Sequence, residues 1–116
     1  MTERYTAQSW KTAIRNLFET YGAQESDAKI VADSLVEADL MGHESHGIAR
    51  APMYIEKISS GDLNLSPTFE VTDHSPSMTT FDGDWGFGQI VGLRATDCGI
   101  YFVWSTSRSV AIHFYA

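Results

Sequence analysis

Cysteine, proline and basic residues are all scarce in this sequence of 116 residues. The one cysteine, Cys98, has no second thiol to bridge to within the chain, which fits a reducing compartment. No spacing pairs it with a general base, so Cys98 reads as a small buried helix residue and not as a nucleophile. Eight Lys+Arg stand against fifteen Asp+Glu, a net charge of −7, and the basic residues never cluster. That balance repels phosphate and argues against nucleic acid or an anionic membrane surface as the main partner. The longest strictly apolar run, Ile100 to Trp104, falls far short of the roughly 20 residues that span a bilayer. Met1 to Thr6 has no basic segment leading into an apolar one, so no secretory signal is expected and the chain reads as cytoplasmic. No internal repeat, low-complexity segment or linker breaks it up.

What remains is enough for a folded body. With 43% hydrophobic and 20% charged residues the chain lies outside the regime of intrinsic disorder, and its length allows one domain at most. Apolar residues at Trp10, Ala13, Ile14, Leu17, Phe18 and Tyr21 follow the stripe of an amphipathic helix that begins after Thr6, and Gly22 supplies its stop. A second helix is predicted from an N-cap at Ser26, with Asp27 in its first turn and Ile30, Val31, Leu35 and Ala38 facing inward, to about Leu40. The two form a helical hairpin. A third helix is predicted from Ile48 to Ser60, with Pro52 in its first turn and Gly61 past its end. Between Leu63 and Phe81 two short strands are expected around a turn at His74–Ser75–Pro76. Asp82 to Gly88 reads as a turn, and Gln89 to Ile100 returns to helical spacing through Ile90, Leu93 and Cys98. Tyr101 to Ala116 mixes β-branched and aromatic residues and reads as strand-like, with His113 a strand histidine.

Reactive side chains concentrate in Gly42-His43-Glu44-Ser45-His46-Gly47-Ile48-Ala49-Arg50, a stretch too polar and glycine-rich to continue a helix. His46 and Arg50 are four apart, so they stack on one face if the third helix begins near His46. An imidazole beside a guanidinium suits an anionic carbonyl substrate: Arg50 can clamp a carboxylate and His46 can exchange a proton with the neighbouring oxygen. Free N–H groups at the helix start would add attraction for an anion. The structural alternative has both histidines facing solvent and Arg50 paired with a surface carboxylate. His43 and His46 are three apart where the H-e-x-x-H zinc motif needs four, so no metal site is expected. Ser45 beside His46 suggests a hydrolase pair, but adjacent residues rarely face each other and the nucleophile elbow is absent, since position 43 is His. Gly83, Gly86 and Gly88 spell the reverse of the dinucleotide order, with no predicted strand-to-helix crossing leading into them, and read as turn glycines.

The run Ala38 to Arg50, followed by Pro52, Tyr54 and Ser60-Gly61, resembles the start of the malate/L-lactate dehydrogenase family, which includes ureidoglycolate and sulfolactate dehydrogenases. Asp82-Gly83-Asp84-Trp85-Gly86-Phe87-Gly88-Gln89 and its following helix are similar to the same family, so the likeness covers roughly residues 5 to 100. It implies an α/β fold that is not a standard Rossmann domain, with the helical hairpin, third helix and short strands as its N-terminal portion. It further implies an oxidoreductase that moves hydride between NAD or NADP and a small 2-hydroxy or 2-oxo acid, in a homodimer. By the same resemblance Ser45, His46 and Arg50 line the substrate pocket, Arg50 on the carboxylate and His46 as the catalytic group on the carbonyl or hydroxyl oxygen.

Family members continue well past this length into their nucleotide-binding region, and their Asn-x-x-His-type motif does not align convincingly with Ser105 to Ala116, where His113 is either a remnant of it or, as Ile112 and Phe114 favour, a strand histidine. The whole of 1–116 is therefore expected to be a single N-terminal portion of a longer dehydrogenase, with 101–116 a diverged or truncated tail. The alternative expectation is a non-catalytic remnant, or a dimerisation or interaction module, since most of the cofactor-binding region is missing.

Overall fold

The computed structural model describes residues 3–75 and 78–106, with side chains through residue 99. They form two compact units, one ending at Leu65 and one beginning at Ser66. Helices and strands mix as the α/β reading requires.

The first unit is helical. Helix α1 spans Ala7–Thr20, and the Thr6 side chain caps it by accepting from the Ser9 backbone N–H at 3.1 Å. Ile14 and Phe18 are its buried residues, while Trp10, Ala13 and Tyr21 of the predicted stripe are exposed. Helix α2 spans Glu25–Leu40. It starts earlier than the Ser26 cap predicts: Gln24 holds the extended cap conformation and its carbonyl accepts the Ala28 N–H at 2.8 Å. Glu25 and Asp27 then both lie in the first turn, where the helix dipole favours negative charge. The buried stripe is Ala28, Val31, Ala32, Leu35 and Val36, a regular i, i+3, i+4 pattern that leaves Ile30 and Ala38 half-buried at its margins. Lys11 on α1 approaches Asp33 and Glu37 on α2 at 4.0 and 3.9 Å, solvent-facing pairs worth little each.

Helix α3 spans Ala51–Ser60 with Pro52 in its first turn. Its start lies three residues beyond the predicted Ile48, because Ile48–Arg50 closes as a tighter 3-10 turn of its own. All three helices stop the same way. At α2 the His43 N–H reaches back to the Ala38 carbonyl (2.8 Å) and the Gly42 N–H to Asp39 (3.0 Å), the paired bonds of a Schellman end, with Gly42 at φ 82. The same pair of bonds closes α1 at Gly22 and α3 at Gly61.

The second unit begins with an antiparallel ribbon of β1 (Glu70–Ser75) and β2 (Met78–Asp82), in which Val71 faces Phe81 and Thr72 faces Thr80. The two predicted strands are present, but His74 and Ser75 belong to β1, and Pro76 of the predicted turn lies outside the described residues. Phe69 packs on Phe81 with ring centroids 5.3 Å apart. The turn after β2 is fixed by the Asp84 carboxylate, which accepts the Thr68 N–H at 3.0 Å, and by the Gly86 N–H on the Gly83 carbonyl at 3.0 Å.

Helix α4 spans Gly88–Thr106 and buries Ile90 just after the buried Phe87. It therefore carries on through Tyr101 to Trp104, which are helical and not strand; once a helix is propagating, each further residue adds a bond, and this outweighs the β preference of those side chains. His113 lies outside the described residues. Cys98 lies on α4 and is half-buried. No helix among the described residues is long and apolar enough to cross a membrane.

Candidate functional site

The polar stretch after α2 is more ordered than a loop: it folds as two 3-10 turns, Glu44–His46 and Ile48–Arg50, hinged at the extended Gly47. The His46 N–H bonds the His43 carbonyl at 2.9 Å and the Gly47 N–H bonds that of Glu44 at 3.1 Å. Because the hinge separates the two turns, His46 and Arg50 do not share a helical face as their spacing predicts. They are joined through Ser45 instead. The Ser45 hydroxyl and His46 Nδ1 are 2.9 Å apart, and Arg50 Nε donates to the Ser45 backbone carbonyl at 2.7 Å. The tight turn thus brings adjacent side chains together, contrary to the expectation that Ser45 and His46 would diverge.

All three residues are exposed, Ser45 and His46 on the first 3-10 turn and Arg50 on the second. Among the described residues no carboxylate pairs with Arg50, which leaves the terminal nitrogens of its guanidinium as an anion fork. His43 does not join them: it caps the end of α2 through its backbone. Among the described residues no three His, Cys, Asp or Glu side chains gather as a metal site needs.

Behind the turn, Asp39 Oδ2 accepts the Ile48 N–H at 2.9 Å in a part-buried setting. A Cβ at Gly47 would collide with that carboxylate. Sequence reasoning left Asp39 without a role; the signal for it was an acid in the last turn of a helix, where the dipole disfavours one.

The glycine turn of the second unit tests the dinucleotide idea. As expected, a strand, β2, precedes the turn and a helix, α4, follows it, while β2 is antiparallel to its neighbour and no parallel crossover is formed among the described residues. The space beside Gly83 is taken by the Val91 methyls (2.6 and 2.7 Å from a Cβ) and that beside Gly86 by Pro67 (3.0 Å). Gly83 and Gly86 serve packing, Gly88 has open space beside it, and with no parallel crossover the turn lacks the strand-to-helix setting of a dinucleotide fingerprint.

The malate/L-lactate dehydrogenase family model matches residues 5–106. Malate dehydrogenase of Pyrococcus abyssi is 49% identical over 79 residues, 68% of this chain and 22% of that protein. L-sulfolactate dehydrogenase of Methanocaldococcus jannaschii is 42% identical over 90 residues, 78% of this chain and 26% of that protein. In three dimensions the chain superposes on malate dehydrogenase from Pyrococcus horikoshii with a TM-score of 0.83 and 41% identity, covering 90% of this chain and 30% of that one. The chain spans about a quarter of the length of the curated relatives it matches. On sequence and on fold alike, the chain belongs to the malate/L-lactate dehydrogenase family.

Proposed function

We propose that the chain contributes the substrate-binding wall of a cytoplasmic, homodimeric oxidoreductase that transfers hydride between NAD or NADP and a small 2-hydroxy or 2-oxo acid. One observation carries the reading: Ser45, His46 and Arg50 are linked by two hydrogen bonds across two consecutive 3-10 turns and are all exposed, with the Arg50 fork unpaired among the described residues. Arg50 holds the substrate carboxylate through its terminal nitrogens while Nε stays on the Ser45 carbonyl. His46 gives or takes the proton at the C2 oxygen through Nε2. Ser45 serves both directions by accepting from Nδ1–H: Nε2 is then a base in the neutral imidazole and Nε2–H an acid in the imidazolium. The relatives' names support a hydroxy acid as the substrate, since they include malate, sulfolactate and hydroxycarboxylate dehydrogenases. No step is assigned to the glycine turn at Gly83 to Gly88, because side chains take the space beside Gly83 and Gly86 and no parallel crossover forms there.

The test is a graft of residues 5–100 in place of the matching segment of Pyrococcus horikoshii malate dehydrogenase. The graft is expected to reduce 2-oxo acids. Arg50→Ala within it should raise KM steeply, since removing one partner of a desolvated charge pair costs about 2–5 kcal/mol, and His46→Gln should lower kcat with little change in KM. Kinetics unchanged by both substitutions would overturn the reading.

A further inference from the structure

The turn that carries Ser45, His46 and Arg50 has little core of its own. His43 to His46 are exposed, and Ile48 is half-buried. What restrains it comes from α2. Asp39 lies in the last turn of that helix, at the negative end of the helix dipole, which disfavours a carboxylate, and no basic residue in that turn offsets it. Its side chain reaches nine residues forward to accept the Ile48 N–H at 2.9 Å. Ile48 opens the 3-10 turn that runs into α3, so its N–H is one of the donors a helical start leaves without an internal partner. Asp39 therefore caps that run from a different helix.

Gly47 gives an independent sign of the same arrangement. Its φ of −93 is ordinary for any residue, yet a Cβ there would collide with the Asp39 carboxylate. Space, and not backbone torsion, requires glycine at this position.

We propose that Asp39 is a positioning residue of the substrate turn: by holding the Ile48 N–H against α2 it sets where Arg50 lies relative to Ser45 and His46. The role in substrate binding rests on the reading of that turn as the substrate site, whereas the restraint itself does not. Acceptor geometry matters more than charge, so Asp39→Asn, whose amide oxygen can accept the same bond, preserves the arrangement and Asp39→Ala does not.

The experiment is nuclear magnetic resonance on the full chain with Asp39→Ala, Asp39→Asn, Gly47→Ala and the Asp39→Ala/Gly47→Ala pair. Asp39→Ala is expected to speed exchange of the Ile48 amide about tenfold or more, as loss of a hydrogen bond to a charged group implies, and to abolish the slowly exchanging Arg50 Nε–H signal. The Val31 amide in the buried face of α2 reports global opening and should not change. Asp39→Asn should restore both signals. Gly47→Ala should reproduce the loss, and the pair should be no worse than either single change, because the collision disappears with the carboxylate. Titration with pyruvate supplies the second arm: shifts at His46 and Arg50 in the parent chain should weaken in Asp39→Ala and return in Asp39→Asn. If Asp39→Ala fails to fold, Asp39→Asn and Gly47→Ala decide the matter. Unchanged Ile48 and Arg50 signals in Asp39→Ala, or fully additive effects in the pair, would overturn the restraint. Absence of pyruvate shifts in the parent chain would overturn the substrate reading and leave the exchange arm to decide on Asp39.

Discussion

Phe18 of α1 and Tyr54 of α3 meet edge to face, their ring centroids 6.2 Å apart and their planes at 77°. Phe18 is fully buried, so this contact ties the helix that follows the Ser45–Arg50 turn to the first helix of the hairpin. The turn is thereby restrained on both sides, by Asp39 before it and by Tyr54 after it. Phe18→Ala should cost about 3–5 kcal/mol, the usual range for an aromatic residue truncated in a core. Tyr54→Ala at the half-buried partner should cost less. Urea denaturation of the two variants measures the difference, and equal losses would show that the pairing, more than burial, sets the cost.

Gly83 and Val91 form a second close relationship, within the other unit. A methyl group at position 83 would lie 2.6 and 2.7 Å from the two Val91 methyls. Gly83→Ala should destabilise by about 1–3 kcal/mol, the ordinary penalty for overpacking. Adding Val91→Ala should recover part of it by opening that space. A thermal melt of the single and double variants checks the prediction, which fails if the second change only adds to the loss.

The phenol of Tyr5 donates to Glu3 Oε2 at 2.6 Å, and this bond to a carboxylate raises its pKa above the ordinary value of 10.0. Because the folded value lies above the unfolded one, the protonated phenol favours the folded chain: its contribution is complete below the unfolded value and is lost as pH rises through the folded one. Ultraviolet titration of phenolate, compared with a Tyr5→Phe variant, should show Tyr5 ionising late. Glu3→Gln should bring Tyr5 back towards its ordinary value, and a Tyr5 that still ionises late in that variant would refute the assignment.

The helical hairpin was legible because its buried positions repeat at helical spacing and because Gly22 marks a stop that needs no tertiary information, as Gly61 does for α3. The start of α2 was not, since Ser26 is a good cap by type but Gln24 occupies the position where the backbone turns. At the site, residue identity was readable and arrangement was not. Helical spacing put His46 above Arg50, whereas the hinge at Gly47 breaks that register and routes the link through the Ser45 carbonyl. Nothing in the local pattern could show that Gly47 is small to make room for Asp39, a residue eight positions earlier whose effect depends on how the chain folds back. The helix through Tyr101 to Trp104 was missed because β-branched and aromatic composition was weighed over continuity with the helix before it.

The shared glycine ending of α1, α2 and α3 bears on how quickly the chain reaches its native form. Each reversal is closed by bonds between residues at most five apart, so no distant partner has to arrive before a helix can stop. Units dominated by such short-range closures belong to the fast class of folders, on the order of microseconds to milliseconds. The turn bearing Ser45, His46 and Arg50 lies between two of these endings. It can therefore take shape early, from local sequence, with the long-range bond from Asp39 to Ile48 as its finishing step.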